Sequence, residues 1–198
     1  MNLPNKLSIL RVILVPLFVA VLTIPSQTFF DSYETWIRII AAALFILTAL
    51  TDMLDGQIAR RCNLVTDFGK FIDPLADKFM VFGAMLAILY RFDDIRPVFV
   101  WAALIVIFRE LAITSMRLIV VNKSGTVVAA AWLGKVKTVT QIICIVAILL
   151  EPVVIPAGNF VYDWHIISYV TTIAMTVMTL WSGIDYMKAY WPLLDPSK

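Results

Sequence analysis

The chain has 198 residues, 61% of them hydrophobic and only 15% charged, with a net charge of +2. Soluble domains carry roughly 45–50% apolar residues, so this composition excludes an ordinary water-soluble domain and predicts an all-α, polytopic membrane protein. The small net charge gives no basis for nucleic-acid binding, and Cys62 and Cys144 lie in different segments, with neither a disulfide framework nor a zinc pattern.

In chain order, Lys6 precedes an apolar run that resembles a secretory signal. Arg11 interrupts that run and no small-x-small cleavage site follows before Pro25, so an uncleaved first span is expected over 7–24. A polar loop, 25–35, leads to a second helix from Trp36 to about Arg60, whose apolar part ends near Leu50. Residues 61–69 are expected as a tight connector, then a third helix from about Lys70 to Tyr90 and a charged turn over 91–97. The fourth helix, 98–121, carries Arg109, Glu110 and Arg117; the fifth, 133–150, opens with Lys135 and Lys137. After a loop over 151–163, the sixth runs from His165 to Tyr190, with Trp181, Tyr186, Tyr190 and Trp191 as an expected interfacial belt and His165 as an interfacial residue. There is no internal repeat, and the length suits six spans in one domain over 1–198.

Six spans put both termini on one side. Of the 16 lysines and arginines, all but Arg38, Arg91 and Arg96 then fall on that side, and the positive-inside rule places it in the cytoplasm.

Against this apolar background, the stretch 51–78 (TDMLDGQIARRCNLVTDFGKFIDPLADK) is polar. Asp52 and Asp55 are spaced i, i+3, and Asp73 and Asp77 i, i+4, so on helices each pair shares a face. Asp52 and Asp77 lie about 12 Å in from the same connector by helical rise, and consecutive helices joined so tightly are expected to be neighbours. Taken singly, Asp73-Pro74 reads equally well as an N-cap with proline at the first helical position, and Asp52 and Asp55 as solvated residues at a helix end. Together, four carboxylates at membrane depth repel one another and need cations. A hard divalent ion with oxygen ligands satisfies them. Gly56 and Ala59 suit close helix packing and also leave room for a ligand; Gly69 reads as a C-cap or loop glycine, or as one that admits a nucleotide. Arg109, well inside its span, is a functional candidate, with Glu110 as a possible structural partner, and Arg117 lies on the same side of that helix.

The pattern Asp52-x2-Asp55-Gly56-x2-Ala59-Arg60-x8-Gly69-x3-Asp73-x3-Asp77 resembles the complete signature of the CDP-alcohol phosphatidyltransferase family. The opening Pro4-Asn5-x-Leu7-Ser8-x2-Arg11, Arg109-Glu110 and Gly134-Lys135-x-Lys137-Thr138 look most like bacterial members that use sn-glycerol 3-phosphate. The resemblance implies transfer of a phosphatidyl group from CDP-diacylglycerol to an alcohol, with release of CMP, in phospholipid biosynthesis at the plasma membrane. It implies two divalent cations, Mg2+ or Mn2+, on Asp52, Asp55, Asp73 and Asp77, with Asp77 as general base. Gly56, Ala59, Arg60 and Gly69 would line the CDP-diacylglycerol site, and a homodimer is implied. An acceptor phosphate brought beside a diphosphate needs further cations, and Arg109, Arg117, Lys135 and Lys137 supply them. Inositol phosphate would satisfy the same cations and stands as the alternative acceptor. An intramembrane prenyltransferase would place its aspartate motifs on more distant helices, and a divalent-cation transporter would string acids through the whole bilayer, which the outer halves of these spans do not.

Overall fold

The apolar runs fold as helices because, in hydrocarbon, every backbone N–H and C=O must be satisfied within its own segment. The structure, a computed structural model, describes residues 2–23, 33–61, 66–124 and 132–194, with the side chains of 3, 4, 53–61, 67, 70, 121–124 and 192–194 outside that description. Among the described residues there are seven helices and no strand: α1 (Leu3–Thr23), α2 (Glu34–Arg61), α3 (Asp67–Arg91), α4 (Arg96–Ser124), α5 (Trp132–Val154), α6 (Phe160–Asp163) and α7 (Ile166–Leu194). The helices α1, α2, α4, α5 and α7 each contain a stretch long and apolar enough to cross a membrane, and the chain is an all-α, multi-pass membrane protein. With 25 residues, α3 is also long enough, but Asp73, Asp77 and Lys78 fall in its first half, so composition does not mark it as a span.

The expectation that α2 and α3 are close neighbours is corrected. They touch only marginally, and α1 lies between them, packed along both. The reason is a stripe on α1 at helical spacing: Asn5, Ser8, Arg11, Val15, Phe18 and Leu22 are all buried. Its deep half is apolar, with Phe18 against Phe45 of α2 at 5.7 Å between ring centroids. Gly83 of α3 lets α1 come close, since a Cβ there would stand 2.7 Å from Val15 Cγ1. On the other side of the bundle α7 packs against α4 and α5, and α5 packs on α2.

Two helix ends differ from the sequence expectation. The third helix begins at Asp67, ahead of the expected Lys70, because Thr66 caps it: its Oγ1 accepts the Gly69 N–H at 3.0 Å. Gly69 is therefore in the first helical turn, not in a connector or at a C-cap, and Asp73-Pro74 lies inside the helix instead of starting it. The fifth helix continues past Leu150 to Val154, with Pro152 in its last turn, where the missing N–H forgoes the bond to the Ile148 carbonyl. What holds that end is Glu151, whose buried carboxylate accepts the N–H groups of Ile167 (3.0 Å) and Ser168 (2.9 Å) and so caps α7 from outside. The short α6, inside the expected loop, starts at Asn159, whose side chain accepts the Val161 N–H at 2.9 Å.

At the end of the bundle where α2 begins, Glu34 pairs with Arg38 at 2.9 Å and with Arg91, and Arg96 donates to the carbonyls of Leu89 and Tyr90. Asp52 is 18 residues further along α2, about 27 Å by helical rise. The sparse arginines and the acidic stretch thus occupy opposite ends.

Candidate active site

The polar half of the α1 stripe organises the acidic end. Asn5 accepts the Thr66 hydroxyl at 3.0 Å, tying α1 to the start of α3. Gly69 makes that approach possible, since a Cβ there would stand 3.0 Å from Asn5 Oδ1. Ser8 donates to Asp73 Oδ1 at 2.5 Å. Arg11, with no exposed surface, is ion-paired with Asp52, whose side chain is 36% exposed. One helix thereby orients an acid on each of its two neighbours. The polar opening of a first span gives this as its only sequence signal: Asn5, Ser8 and Arg11 recur at i, i+3.

Asp52 and Asp77 line a cavity of about 600 Å³ enclosed by α2, α3, α4, α5 and α7. The four cations expected to hold an acceptor phosphate, Arg109, Arg117, Lys135 and Lys137, line the same cavity, as do Lys78, Glu110 and Tyr186. Asp73 faces Ser8; the side chains of Asp55, Gly56, Ala59 and Arg60 lie outside the described residues.

The cation wall is internally organised. Glu110, on α4, accepts Lys137 Nζ at 2.5 Å and Arg109 Nη1 at 3.2 Å. Arg109 also donates to Ser182 Oγ at 3.1 Å and lies 5.4 Å above the Tyr186 ring, where the negative face of the ring attracts it. Tyr186 stacks on Tyr190 with centroids 6.0 Å apart, and Gly134 leaves room for its hydroxyl, which a Cβ there would meet at 3.1 Å. Tyr186 and Tyr190 are buried, so the expected belt is corrected: Trp181 and Trp191 are exposed, while Tyr186 turns inward under Arg109 and Tyr190 stacks on it. Arg117 and Lys135 make no ion pair among the described residues and are exposed at the cavity.

A cavity with carboxylates on one wall and cations on another suits a substrate carrying phosphate groups, with cations bridging it to the acidic wall. The donor chemistry fits a hard divalent ion: Asp52, Asp73 and Asp77 offer carboxylate oxygens only, and Arg11 and Ser8 fix the orientation of two of them. Among the described residues no three acids are close enough together to form a complete ligand set; the fourth, Asp55, is not among the described side chains.

An all-helical membrane architecture with this two-walled cavity suits a protein that handles phosphate esters within a bilayer. Residues 1–182 match the family model for CDP-alcohol phosphatidyltransferase, and the chain belongs to that family. It is 38% identical over 200 residues to the CDP-diacylglycerol–glycerol-3-phosphate 3-phosphatidyltransferase of Bacillus subtilis (strain 168), covering 99% of this chain and 98% of the relative. The proteins of the same name from Pseudomonas fluorescens and Yersinia enterocolitica are 32% and 33% identical, covering 98% and 99% of this chain and 92% and 99% of theirs.

Proposed function

We propose that this chain transfers the phosphatidyl group of CDP-diacylglycerol to sn-glycerol 3-phosphate, giving phosphatidylglycerophosphate and CMP. The observation that carries the reading is the single cavity shared by Asp52 and Asp77 on one side and Arg109, Arg117, Lys135 and Lys137 on the other. Full-length relatives named for this activity support it.

Asp52, Asp55, Asp73 and Asp77 would hold two divalent cations, Mg2+ or Mn2+, which when bound neutralise the diphosphate and the charge developing on the leaving CMP. Gly56, Ala59, Arg60 and Gly69 line the nucleotide side. On the acceptor side, Arg117 and Lys135 hold the phosphate of glycerol 3-phosphate, and Arg109 and Lys137 shape the wall behind it through Glu110. Asp77 takes the proton of the acceptor hydroxyl; that oxygen bonds to the phosphatidyl phosphorus, and the bond to CMP breaks. The topology that suits these substrates has α3 as a sixth span in one domain, with both termini and the cavity facing the cytoplasm of a plasma membrane. Acyl chains then remain in the bilayer while CMP leaves to water. The functional unit is a homodimer.

The test is CMP release by purified protein from CDP-diacylglycerol with a panel of acceptors. Glycerol 3-phosphate should support turnover and unphosphorylated glycerol should not. Equal rates with both, or a clear preference for inositol phosphate, would reject the acceptor assignment.

A further inference from the structure

The cation wall stands on two helices that hardly touch. Arg109 and Arg117 belong to α4, Lys135 and Lys137 to α5. Among the described residues α4 and α5 make at most marginal contact with each other, and α7 packs along both. What α7 places between them is a pair of stacked rings. Tyr186 and Tyr190, with an angle of 11° between their planes, are buried. They pack with Ile113, Met116 and Val120, on the turns of α4 that carry Arg117. Arg109 lies over the Tyr186 ring. The hydroxyl end of that ring meets the start of α5, where a Cβ on Gly134 would stand 3.1 Å from the oxygen and 3.4 Å from Cε2. Gly134 immediately precedes Lys135. One side chain on α7 thus abuts both helices of the wall, beside the two cavity cations that make no ion pair among the described residues.

We propose that Tyr186 is a positioning residue of the acceptor site: its ring sets the gap between Arg117 and Lys135, and so fits the pair to a phosphate monoester held between them. The inference rests on the reading that these two cations hold the acceptor phosphate. The ring suits the task because it cannot easily give way. Tyr190, with no exposed surface, stacks against it, and the Arg109 above it is itself held by Ser182 and Glu110. The Lys137–Glu110 pair also bridges α5 and α4, but through two flexible side chains that can follow a change in helix separation. A planar ring wedged against the α5 backbone at Gly134 cannot, and any side chain at Gly134 would push the start of α5 away from α7.

The experiment measures equilibrium binding of radiolabelled glycerol 3-phosphate to the purified full-length protein in detergent with Mg2+, alongside the KM values of CMP release and thermal unfolding. Gly134→Ala places a methyl group 3.1 Å from the Tyr186 hydroxyl, and with the ring backed by Tyr190 it is α5 that must yield. Affinity for glycerol 3-phosphate should fall, and its KM rise, by roughly 10-fold, within the range of one charge-assisted contact. The KM for CDP-diacylglycerol should stay within about 2-fold. Tyr186→Phe in the same chain removes the atom that the methyl meets and leaves Cε2 at 3.4 Å, so the double variant should recover most of the loss. Tyr186→Leu, which removes the spacer itself, keeps the test available if Gly134→Ala does not fold, and should weaken acceptor binding in the same way. Lower thermal stability with unchanged acceptor affinity, equal losses for donor and acceptor, or a Gly134→Ala loss that Tyr186→Phe does not relieve would each overturn the proposal. If the variants change glycerol 3-phosphate binding as expected but the unaltered protein releases no CMP, the phosphatidyl-transfer reading falls while the positioning role stands.

Discussion

Glu110 is the most exacting test of how the cavity is built. Its Oε1 accepts both Lys137 at 2.5 Å and Arg109 at 3.2 Å, and all three side chains are between 8% and 11% exposed. Glu110→Gln keeps the shape and one acceptor oxygen but removes the charge that both cations share. Hydrogen bonds to charged groups contribute about 1.5–3 kcal/mol each, and breaking a buried pair by changing one partner costs about 3–5 kcal/mol. Because the amide oxygen still accepts one bond, a loss of about 2–3 kcal/mol is expected, or roughly 4–12 °C in Tm for a chain of this size. Lys137→Met should destabilise in the same way, leaving Glu110 with Arg109 alone. The two losses should not add: the double variant should retain about 1–3 kcal/mol relative to their sum, the coupling found for groups in one network. Thermal unfolding of the four proteins in detergent, without substrates, measures this directly. Additivity within about 0.5 kcal/mol would refute the network.

CMP release should vanish in excess chelator and return with Mg2+ or Mn2+; unchanged turnover in chelator would remove the metal from the reading. Asp77→Asn should still bind CDP-diacylglycerol while kcat falls by at least about 10², as judged by donor binding and single-turnover rates. Arg117→Ala and Lys135→Ala should each raise the KM for glycerol 3-phosphate by about 10- to 150-fold, the equivalent of one charge-assisted contact, with the KM for the donor nearly unchanged. Gly83→Ala places a methyl group 2.7 Å from Val15 Cγ1, on a side chain only 3% exposed. The overpacking cost of about 1–3 kcal/mol should outweigh the roughly 1 kcal/mol gained in helix propensity, and Val15→Ala in the same chain should restore part of the loss in thermal unfolding.

The long helices were legible because hydrophobic runs of their length have few other uses, and the gathering of charged residues on two helices and their loops marked the cavity. The part played by α1 was not legible. Arg11 at the start of a span reads as a positive-inside anchor, and only packing shows it fully buried against Asp52. The misplaced start of α3 has a similar cause. Gly69 reads as the last residue of a connector, which puts the expected start at Lys70, and the cap at Thr66 wins because Asn5 holds it from α1. Tyr186 and Tyr190 fall where an aromatic belt belongs, and nothing local shows that Tyr186 meets a cation on α4 and that Tyr190 stacks on it.

Pairing explains how so apolar a chain carries charge below its surface. Arg11 answers Asp52, Ser8 answers Asp73, Arg109 and Lys137 share Glu110, and Glu151 is satisfied by the start of α7. All of these but the Arg109–Glu110 contact within α4 join two helices, or a helix and the turn beside it, so the same contacts that offset the cost of a buried charge fix the helices relative to one another. Two pairs of cations in one cavity thereby acquire different work. Arg109 and Lys137 already share the single negative charge of Glu110, and an incoming phosphate would have to compete with that carboxylate for them. Arg117 and Lys135 make no ion pair among the described residues and line the cavity with exposed side chains, so a phosphate would reach them without displacing a carboxylate. Substitutions at the first pair should therefore register mainly in stability and at the second mainly in acceptor KM, a division that charge counting along the sequence could not make.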